Sequence, residues 1–382
     1  MCREMSVVQL GTIRSLSADT PIYWGRGAVT RGDAVVDLLR PFRSSRHVLI
    51  ADRRVHRIYG ERLAERLRAA GLDLTVLRVA PVESSKSVDV YLRLVNQTLR
   101  VGVEKESHIL TLGGGVVGNV GGFVAATVFR GLPLIHMPSS LMAQLDAAID
   151  VRQSINHRYG KNLIGAQYAP KAVIVDPSML ATLPRRHLRS GFAEAIKHAL
   201  VQSRTFWRLL LDNAARMGDE RFLDTVVTQT IRWKLKLLGQ RNGSDWIDYQ
   251  LQYGHCLGHA IETASGYRQL HGEAIAIGMA FSAEIAVALG ISSSRLISDH
   301  IVLLRAYGLP VDIPSDLSVA SIRRLMAFDK YARQRTPRLA VLQRIGRVFQ
   351  SAHGPYVCAS PELLQRLLVE SQKRGEAGKL QT

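Results

Sequence analysis

Two stretches of the chain bring together residue types that do chemistry. In Gln252-Tyr-Gly-His255-Cys-Leu-Gly-His259 two histidines stand four positions apart, on one face of a helix, and Leu270-His271-Gly272-Glu273 adds a third histidine and a carboxylate. Imidazole and carboxylate are favoured zinc ligands, so three histidines and a glutamate in helical surroundings make a candidate divalent-metal site with one position left open. The pair lacks the central glutamate of His-Glu-x-x-His, which separates it from the metalloprotease motif. Two alternatives stand beside this reading: His198 competes as a ligand, and Glu273 can instead cap the helix AIAIGMAF. In Arg189-Ser-Gly-Phe-Ala-Glu194-Ala-Ile-Lys197-His198, Glu194 and Lys197 lie three apart and share a helical face.

The other stretch is Gly113-Gly114-Gly115-Val-Val-Gly118-Asn119-Val-Gly121-Gly122, between the strand-like HILTL and the helix-like FVAATVF. A glycine-rich turn that opens into a helix N-terminus suits a pyrophosphate. Positions 113, 115 and 118 fit Gly-x-Gly-x-x-Gly, but no acidic residue follows about 20 positions later as in the usual dinucleotide fingerprint. A tight turn with close helix packing is the alternative. Asp52, at the end of HVLIAD, could take ribose hydroxyls from a different βα unit, which makes the expected dinucleotide site a non-standard one.

The elements that must position these residues follow from periodicity. HVLIAD (47–52), LTVLRVA (74–80), HILTLGG (108–114), LPLIHMP (132–138) and KAVIVD (171–176) alternate with helical patterns, the rhythm of βα units on a mostly parallel sheet. After Pro184 strand signals almost vanish and amphipathic stretches take over, such as Leu188, Phe192, Ile196 and Leu200 at every fourth residue. The expectation is an α/β domain over 1–185 and a helical domain over 186–370, with a ligand cleft between them. A disordered tail is expected over 371–382.

Bulk composition excludes several classes. With 382 residues, 47% hydrophobic and 21% charged, the chain is long enough for two cores. No stretch approaches the ~20 apolar residues that cross a bilayer, and MCREMSVVQL lacks a signal-peptide core, so a cytoplasmic protein without a membrane partner is expected. Cys2, Cys256 and Cys358 are too few and too widely spaced for a disulfide framework and read as free thiols. The net charge of +18 invites a nucleic-acid reading. Its scatter along segments such as ERLAERLRAAG, without interleaved aromatics, favours a solvated surface with a local anion pocket instead.

Several motifs in one order carry a family resemblance. LGGGVVGNVGGFVAATVFRG, LMAQLD leading to YGKNLIGAQYAPKAVIVD, SGFAEAIKH, YGHCLGHAIE and LHGEAIAIGM resemble dehydroquinate synthase and its relatives over roughly residues 46–345. That superfamily of sugar-phosphate cyclases includes 2-deoxy-scyllo-inosose synthases and sedoheptulose 7-phosphate cyclases. The resemblance implies a Rossmann-like α/β N-terminal domain, an all-α metal-binding C-terminal domain, NAD, and one Zn2+ or Co2+ held by Glu194, His255 and His271. It assigns His259 to the substrate phosphate and removes His198 from the ligands. Asp52, Glu83, Lys86, Gly114, Gly115, Asn119, Ser139, Ser140, Asp146, Lys161, Asn162, Thr182 and Leu183 match positions that hold NAD. Lys161, Lys197, Glu194, His259 and Gln252 are the implied catalytic residues. Arg130, Asp146, Arg152, Asn162, Lys234 and Lys330 are implied to hold the phosphorylated sugar, Arg130 from a neighbouring subunit, hence a homodimer. The implied reaction is transient oxidation, phosphate elimination, reduction by the same NADH and aldol ring closure.

Departures from the family pattern narrow the expectation. Dehydroquinate synthases carry Arg where Asp248 stands, and that Arg grips a substrate carboxylate which an Asp repels. Position 252 is Asn, Glu or Asp in the three subfamilies and Gln here. Ile149-Asp-Val-Arg152-Gln-Ser-Ile-Asn156 is closer to the scyllo-inosose pattern than to the Gly-Gly-Lys-Thr of dehydroquinate synthases, with Arg in place of Lys, and Arg cannot titrate as Lys does. Asp329-Lys330-Tyr331 has lost the second Lys of the usual Asp-Lys-Lys or Asp-Asn-Lys. A glucose 6-phosphate cyclase of the 2-deoxy-scyllo-inosose type, in secondary metabolism, is the first expectation. A sedoheptulose 7-phosphate cyclase, a dehydroquinate synthase, a polyol dehydrogenase of the same architecture and a non-catalytic homologue are the alternatives.

Overall fold

The five apolar runs form strands, and those inside the sheet read as unbroken runs because both of its faces are covered there. The computed structural model describes residues 7–13, 19–158, 160–239, 246–352 and 354–379, with backbone alone for 246–248, 378 and 379. By contacts the chain divides into one unit of Met1–Leu188 with Leu223–Gly239, and another of Arg189–Phe222 with Gln240–Thr382.

In the first unit, β1 (Val8–Ile13), β2 (Thr20–Trp24), β3 (Arg46–Asp52), β4 (Asp73–Val79), β5 (Ile109–Gly113), β6 (Leu134–Pro138) and β9 (Ala172–Val175) make a seven-stranded sheet of order β1-β2-β9-β6-β5-β3-β4. Only the β1–β2 pair is antiparallel. Alternate residues of β3 point to opposite layers. Leu49 and Ala51 pack with α1 (Asp33–Leu39) and α3 (Glu61–Ala69), the latter following the short turn α2 (Arg53–Val55). Val48 and Ile50 pack with α4 (Val88–Val101) and α5 (Gly115–Thr127). Each such buried Val, Leu or Ile side chain contributes about 1.5–3 kcal/mol.

Two hairpins had no apolar run to announce them. They are β1–β2 and the pair β7 (Arg152–His157) and β8 (Gly160–Gln167), whose residues are largely polar and half-exposed along β8. After β9, buried Asp176 accepts the amides of Gly27, Val29, Thr30 and Ser178, tying the turn after β2 to the end of β9.

The helical unit draws on α6 (Arg185–Gln202), α7 (Arg204–Asp212), α9 (Trp246–Leu251), α10 (His255–Ala264), α11 (His271–Ala288), α12 (Arg295–Ala306), α13 (Val319–Met326) and α14 (Pro361–Lys379). A small ladder, β10 (Leu342–Arg344) with β11 (Arg347–Val348), is its only paired strands among the described residues. The first contact-based boundary falls three residues past the expected one, within α6. By the same contacts, the residues of α8 (Glu220–Gly239) from Leu223 on group with the strands, whereas the expectation put 186–370 together. The reason is local: Asp224 pairs with Arg26 at 2.9 Å, Lys234 with Asp146 at 2.6 Å, and Leu235 lies against Gly11.

The tail expected to be disordered from 371 is helix through Lys379. Its anchors are hydrogen bonds, not apolar contacts, which is why hydropathy missed it: Ser371 accepts the Ile313 amide at 3.1 Å and Gln372 donates to the Leu317 carbonyl. Residues 380–382, and Cys2, lie outside the described residues. Cys256 and Cys358 are free thiols, as expected.

Helices α10 and α11 approach closely enough that a Cβ on Gly278 would sit 1.9 Å from the Gly254 carbonyl oxygen. Gly254 itself has φ +79, a left-handed conformation that lets the chain turn into α10. Gly278→Ala is therefore expected to cost about 1–3 kcal/mol by overpacking, read as a lower denaturant midpoint. Gly218→Ala, with nothing within 4 Å of the new carbon, should stay within about 0.5 kcal/mol of the parent. Equal midpoints for the two variants would refute this account of the helix contact.

Candidate active site

That helix contact places two histidines beside a buried carboxylate. His255 is the first residue of α10, His271 the first of α11, and Glu194, with no solvent exposure, projects from α6. Glu194 Oε1 lies 3.7 Å from His255 Nε2 and 3.8 Å from His271 Nε2, and the three candidate ligand atoms fall within 4.8 Å of one another. Oε1 accepts no hydrogen bond. A buried carboxylate oxygen without a donor is costly, and a cation satisfies it. Two ligand atoms on a tetrahedral zinc are about 3.4 Å apart, so the spacing fits a divalent ion with small adjustments.

The outer partners fit as well. His271 Nδ1 is 2.9 Å from Glu262 Oε2, and His255 Nδ1 is 3.1 Å from the Tyr253 carbonyl. Both partners are acceptors, so each Nδ1 carries the proton and each Nε2 lone pair turns toward Glu194. Burial, followed by the charges of Lys197, His259 and His271, holds His255 well below the usual imidazole range, in the neutral form that binds metal. Lys197, also buried, is ion-paired with Glu194 Oε2.

The alternatives separate here. Glu273 caps α11, accepting the Leu270 amide at 2.9 Å. His198 Nδ1 pairs with Gln202 Nε2 at 2.7 Å and stands outside the ligand group. His259 lies beside the group, its ring centroid 5.2 Å from that of His255, with Nδ1 3.6 Å from Asp329 Oδ2. Although burial raises it, Asp329 is held below the usual carboxylate range by the His259 hydrogen bond and the Tyr331 amide. Gln252 is half-buried, and its Oε1 is without a donor. Lys330 is exposed, with its ammonium over the Tyr331 ring at 4.9 Å. The Asp248 side chain lies outside the described residues. Sequence reasoning missed Glu262 and Asp329 as partners. The signal for Glu262 was its place seven residues after His255, on the same face of α10.

In the strand unit, α5 begins at the glycine loop with no side-chain cap, leaving its first amides for an anion. Gly114, Gly115, Gly118, His136, Pro138 and Ala147 line a hollow there. Side chains at Gly114 and Gly115 would press toward Ser140 and Ala147 at 3.4 and 3.3 Å. Asn119 donates to the Gly115 carbonyl, the Ser139 amide to the Gly113 carbonyl, and Ser140 accepts the Ala143 amide. Asp52 ends β3, but one of its oxygens caps α2 through the amides of Arg54 and Val55. Thr182 pairs with Tyr59 at 2.9 Å, and the Leu183 amide closes a turn onto Leu180.

A second polar cluster in that unit joins four expected residues through one that was missed. Lys86 hydrogen-bonds Asn162, whose φ of +57 suits asparagine, and both Lys86 and Lys161 lie within 3.8 Å of Glu83. Asn156 binds Glu83 through its side chain at 2.9 Å and accepts the Asn162 amide at 3.0 Å. Lys234, Asp146 and Arg152 form a separate group with Asp150. Arg130 stands in an exposed turn where Phe129, Arg130 and Gly131 all have positive φ, fastened by Lys105 Nζ to the carbonyls of Phe129 and Gly131 at 2.8 and 3.0 Å.

Comparison with known proteins fits this geometry. Residues 76–190 match the family described as 3-dehydroquinate synthase N-terminal, and residues 191–332 its C-terminal counterpart. The chain belongs to the 3-dehydroquinate synthase family. A 3-dehydroquinate synthase of Dehalococcoides mccartyi (strain CBDB1) is 36% identical over 303 residues, 79% of this chain and 84% of that one. A crystal structure of a 2-deoxy-scyllo-inosose synthase complexed with carbaglucose-6-phosphate, NAD+ and Co2+ superposes with a TM-score of 0.84 at 25% identity, covering 96% of this chain and all of that one. A 2-epi-5-epi-valiolone synthase from Streptomyces hygroscopicus subsp. jinggangensis 5008, with NAD+ and Zn2+ bound, gives 0.84 at 24% identity over 94% and 98% of the two chains. The fold is thus that of the dehydroquinate synthase-like sugar-phosphate cyclases. No helix among the described residues is long and apolar enough to cross a membrane.

In a member of this family, the Glu262 contact to His271 makes a measurable claim. Glu262→Gln keeps the shape and loses the charge, and Zn2+ affinity, measured by competition with a chelating dye, is expected to fall about 10–100-fold. Unchanged affinity would remove Glu262 from the orienting role.

Proposed function

We propose that the chain is an NAD- and divalent-metal-dependent sugar-phosphate cyclase whose substrate carries a phosphate and no carboxylate, with glucose 6-phosphate the first candidate and a 2-deoxy-scyllo-inosose-type carbocycle the product. The observation that carries the substrate preference is Asp248, which stands where dehydroquinate synthases carry the Arg that grips the substrate carboxylate. Tyr331, at the place of the second lysine of the family's Asp-Lys-Lys or Asp-Asn-Lys, packs its ring on Tyr249 at 5.0 Å, and Tyr249 packs on Tyr356 at 5.1 Å, so any phosphate contact from this segment falls to Lys330. The 2-deoxy-scyllo-inosose synthase structure with carbaglucose-6-phosphate supports the hexose choice.

Glu194, His255 and His271 would hold a Zn2+ or Co2+ ion. When bound, the ion supplies Lewis acidity toward a secondary alcohol, while NAD accepts a hydride and returns it. Lys197 balances the buried Glu194 charge and offers a donor to a substrate hydroxyl. His259, backed at Nδ1 by Asp329, offers Nε2 to the departing phosphate. Gln252 brings a buried amide oxygen that a substrate hydroxyl can satisfy. In the strand unit, the open start of α5 suits the NAD pyrophosphate, with Asp52, Glu83, Lys86, Gly114, Gly115, Asn119, Ser139, Ser140, Asp146, Lys161, Thr182 and Leu183 as its contacts. Lys161, Asn162, Lys234 and Arg152 serve the sugar phosphate, joined by Lys330 and, from a second subunit of a homodimer, by Arg130. The reading places the protein in the cytoplasm, in secondary metabolism.

The second reading is 3-dehydroquinate synthase activity itself, favoured by the 36% identity to a protein of that name. The purified chain, loaded with Zn2+ or Co2+ and NAD+, is to be incubated in parallel with glucose 6-phosphate, sedoheptulose 7-phosphate and the carboxylated substrate of dehydroquinate synthase, reading phosphate release and product mass. Release from glucose 6-phosphate alone, with a carbocyclic product, is expected. Release from the carboxylated sugar establishes the second reading, and release from sedoheptulose 7-phosphate moves the chain to that subfamily. No release although metal and NAD+ bind points to a polyol dehydrogenase, and no binding of either to a non-catalytic homologue.

A further inference from the structure

Next to Arg152 this chain carries a carboxylate that the sequence pattern gave no reason to expect. Asp150 takes a position that is glycine in the Gly-Gly-Lys-Thr of dehydroquinate synthases, two residues before the lysine that Arg152 replaces. Its Oδ1 accepts the Val151 amide at 2.7 Å, the Arg152 amide at 3.3 Å and Arg152 Nε at 3.1 Å. Its Oδ2 accepts Arg152 Nε at 2.9 Å and Nη2 at 2.5 Å. The Asp150 side chain is 11% exposed and that of Arg152 is 35% exposed, so the carboxylate lies beneath a guanidinium that solutes can reach. Behind the pair, Lys234, 1% exposed, binds Asp146 through its carbonyl and carboxylate at 2.7 and 2.6 Å. Burial raises Asp150, but Arg152 and then Lys234 outweigh it and hold the carboxyl below its usual range, so it stays ionised.

The two exchanges belong together on physical grounds. Lysine presents a compact charge with rotatable donors and binds a phosphate from many directions. Arginine presents a planar fork on a long flexible stem, and its strength toward phosphate depends on the direction of that plane. A carboxylate that grips the Nε edge from below fixes the plane.

We propose that Asp150 is a positioning residue for phosphate recognition: it fixes the guanidinium of Arg152, and Arg152 so fixed takes the substrate phosphate in place of the family lysine. The proposal rests on the sugar-phosphate reading of the same site. It explains how the Lys-to-Arg exchange keeps an anion contact, and it makes the exchange at 152 conditional on the one at 150.

The test uses the full chain with Zn2+ and NAD+, titrated calorimetrically with inorganic phosphate and with glucose 6-phosphate, in the parent, Asp150→Asn, Arg152→Lys and Asp150→Gly/Arg152→Lys. Removing a negative charge would, on charge alone, tighten anion binding; loss of positioning weakens it, so the sign of the change separates the two. Asp150→Asn is expected to weaken both probes about tenfold with NAD+ affinity and melting temperature kept, and Arg152→Lys to weaken them similarly because a single ammonium drawn onto Asp150 has no separate donor edge to turn toward the phosphate. The double variant, which restores the glycine and lysine, should recover to within about threefold of the parent, a strongly non-additive pair. Equal or tighter binding in Asp150→Asn, additive losses in the double variant, or a parent that binds neither probe overturns the proposal. If inorganic phosphate shows the expected pattern while glucose 6-phosphate is not turned over, the hexose reading falls and the positioning role stands.

Discussion

A glutamate carboxylate with no access to water needs partners from every side, and Glu194 is the group around which the helical unit is arranged. Lys197 meets one oxygen from within the same helix, and two imidazole nitrogens stand just beyond hydrogen-bond range of the other. The histidines reach that place because glycines at 254 and 278 let α10 and α11 touch backbone to backbone. Glu262 and the Tyr253 carbonyl then fix which nitrogen of each ring faces the carboxylate. Sequence, helix contact and ligand geometry are thus successive consequences of placing one charge in the core.

Much of the fold was legible because it is written in apolar periodicity. The inner strands β3, β5, β6 and β9 are covered on both faces and so announce themselves as unbroken runs, the edge strand β4 does so less fully, and β7 and β8 are polar hairpin strands that make no such statement. The same limit explains the end of the C-terminal helix, which beyond the buried Leu364, Leu367 and Leu368 is held through Ser371 and Gln372, and the return of α8 to the strand unit through Asp224 and Lys234. Side-chain hydrogen bonds over long sequence separations leave no periodic trace.

The site divides along a similar line. Metal-type ligands are few in kind and spaced by the helix, so His255 and His271 stood out, but spacing alone left His198, His259 and Glu273 as rivals. The geometry sends Glu273 to a helix cap and His198, which the family resemblance had already removed from the ligands, to Gln202. The second layer was the least legible: Glu262, Asp329, Asn156 and Asp150 are ordinary polar residues until their partners are known. Their roles depend on pairings that a linear pattern does not encode.

The turn at Phe129–Gly131 has a different kind of consequence. Two non-glycine residues there stand in the left-handed region, which costs about 1–2 kcal/mol each, and the Lys105 ammonium holds the turn through the carbonyls of Phe129 and Gly131. Those two contacts are charge-assisted and exposed, so dissolved salt weakens them. Ionic strength therefore acts directly on what holds Arg130 in its unusual backbone conformation.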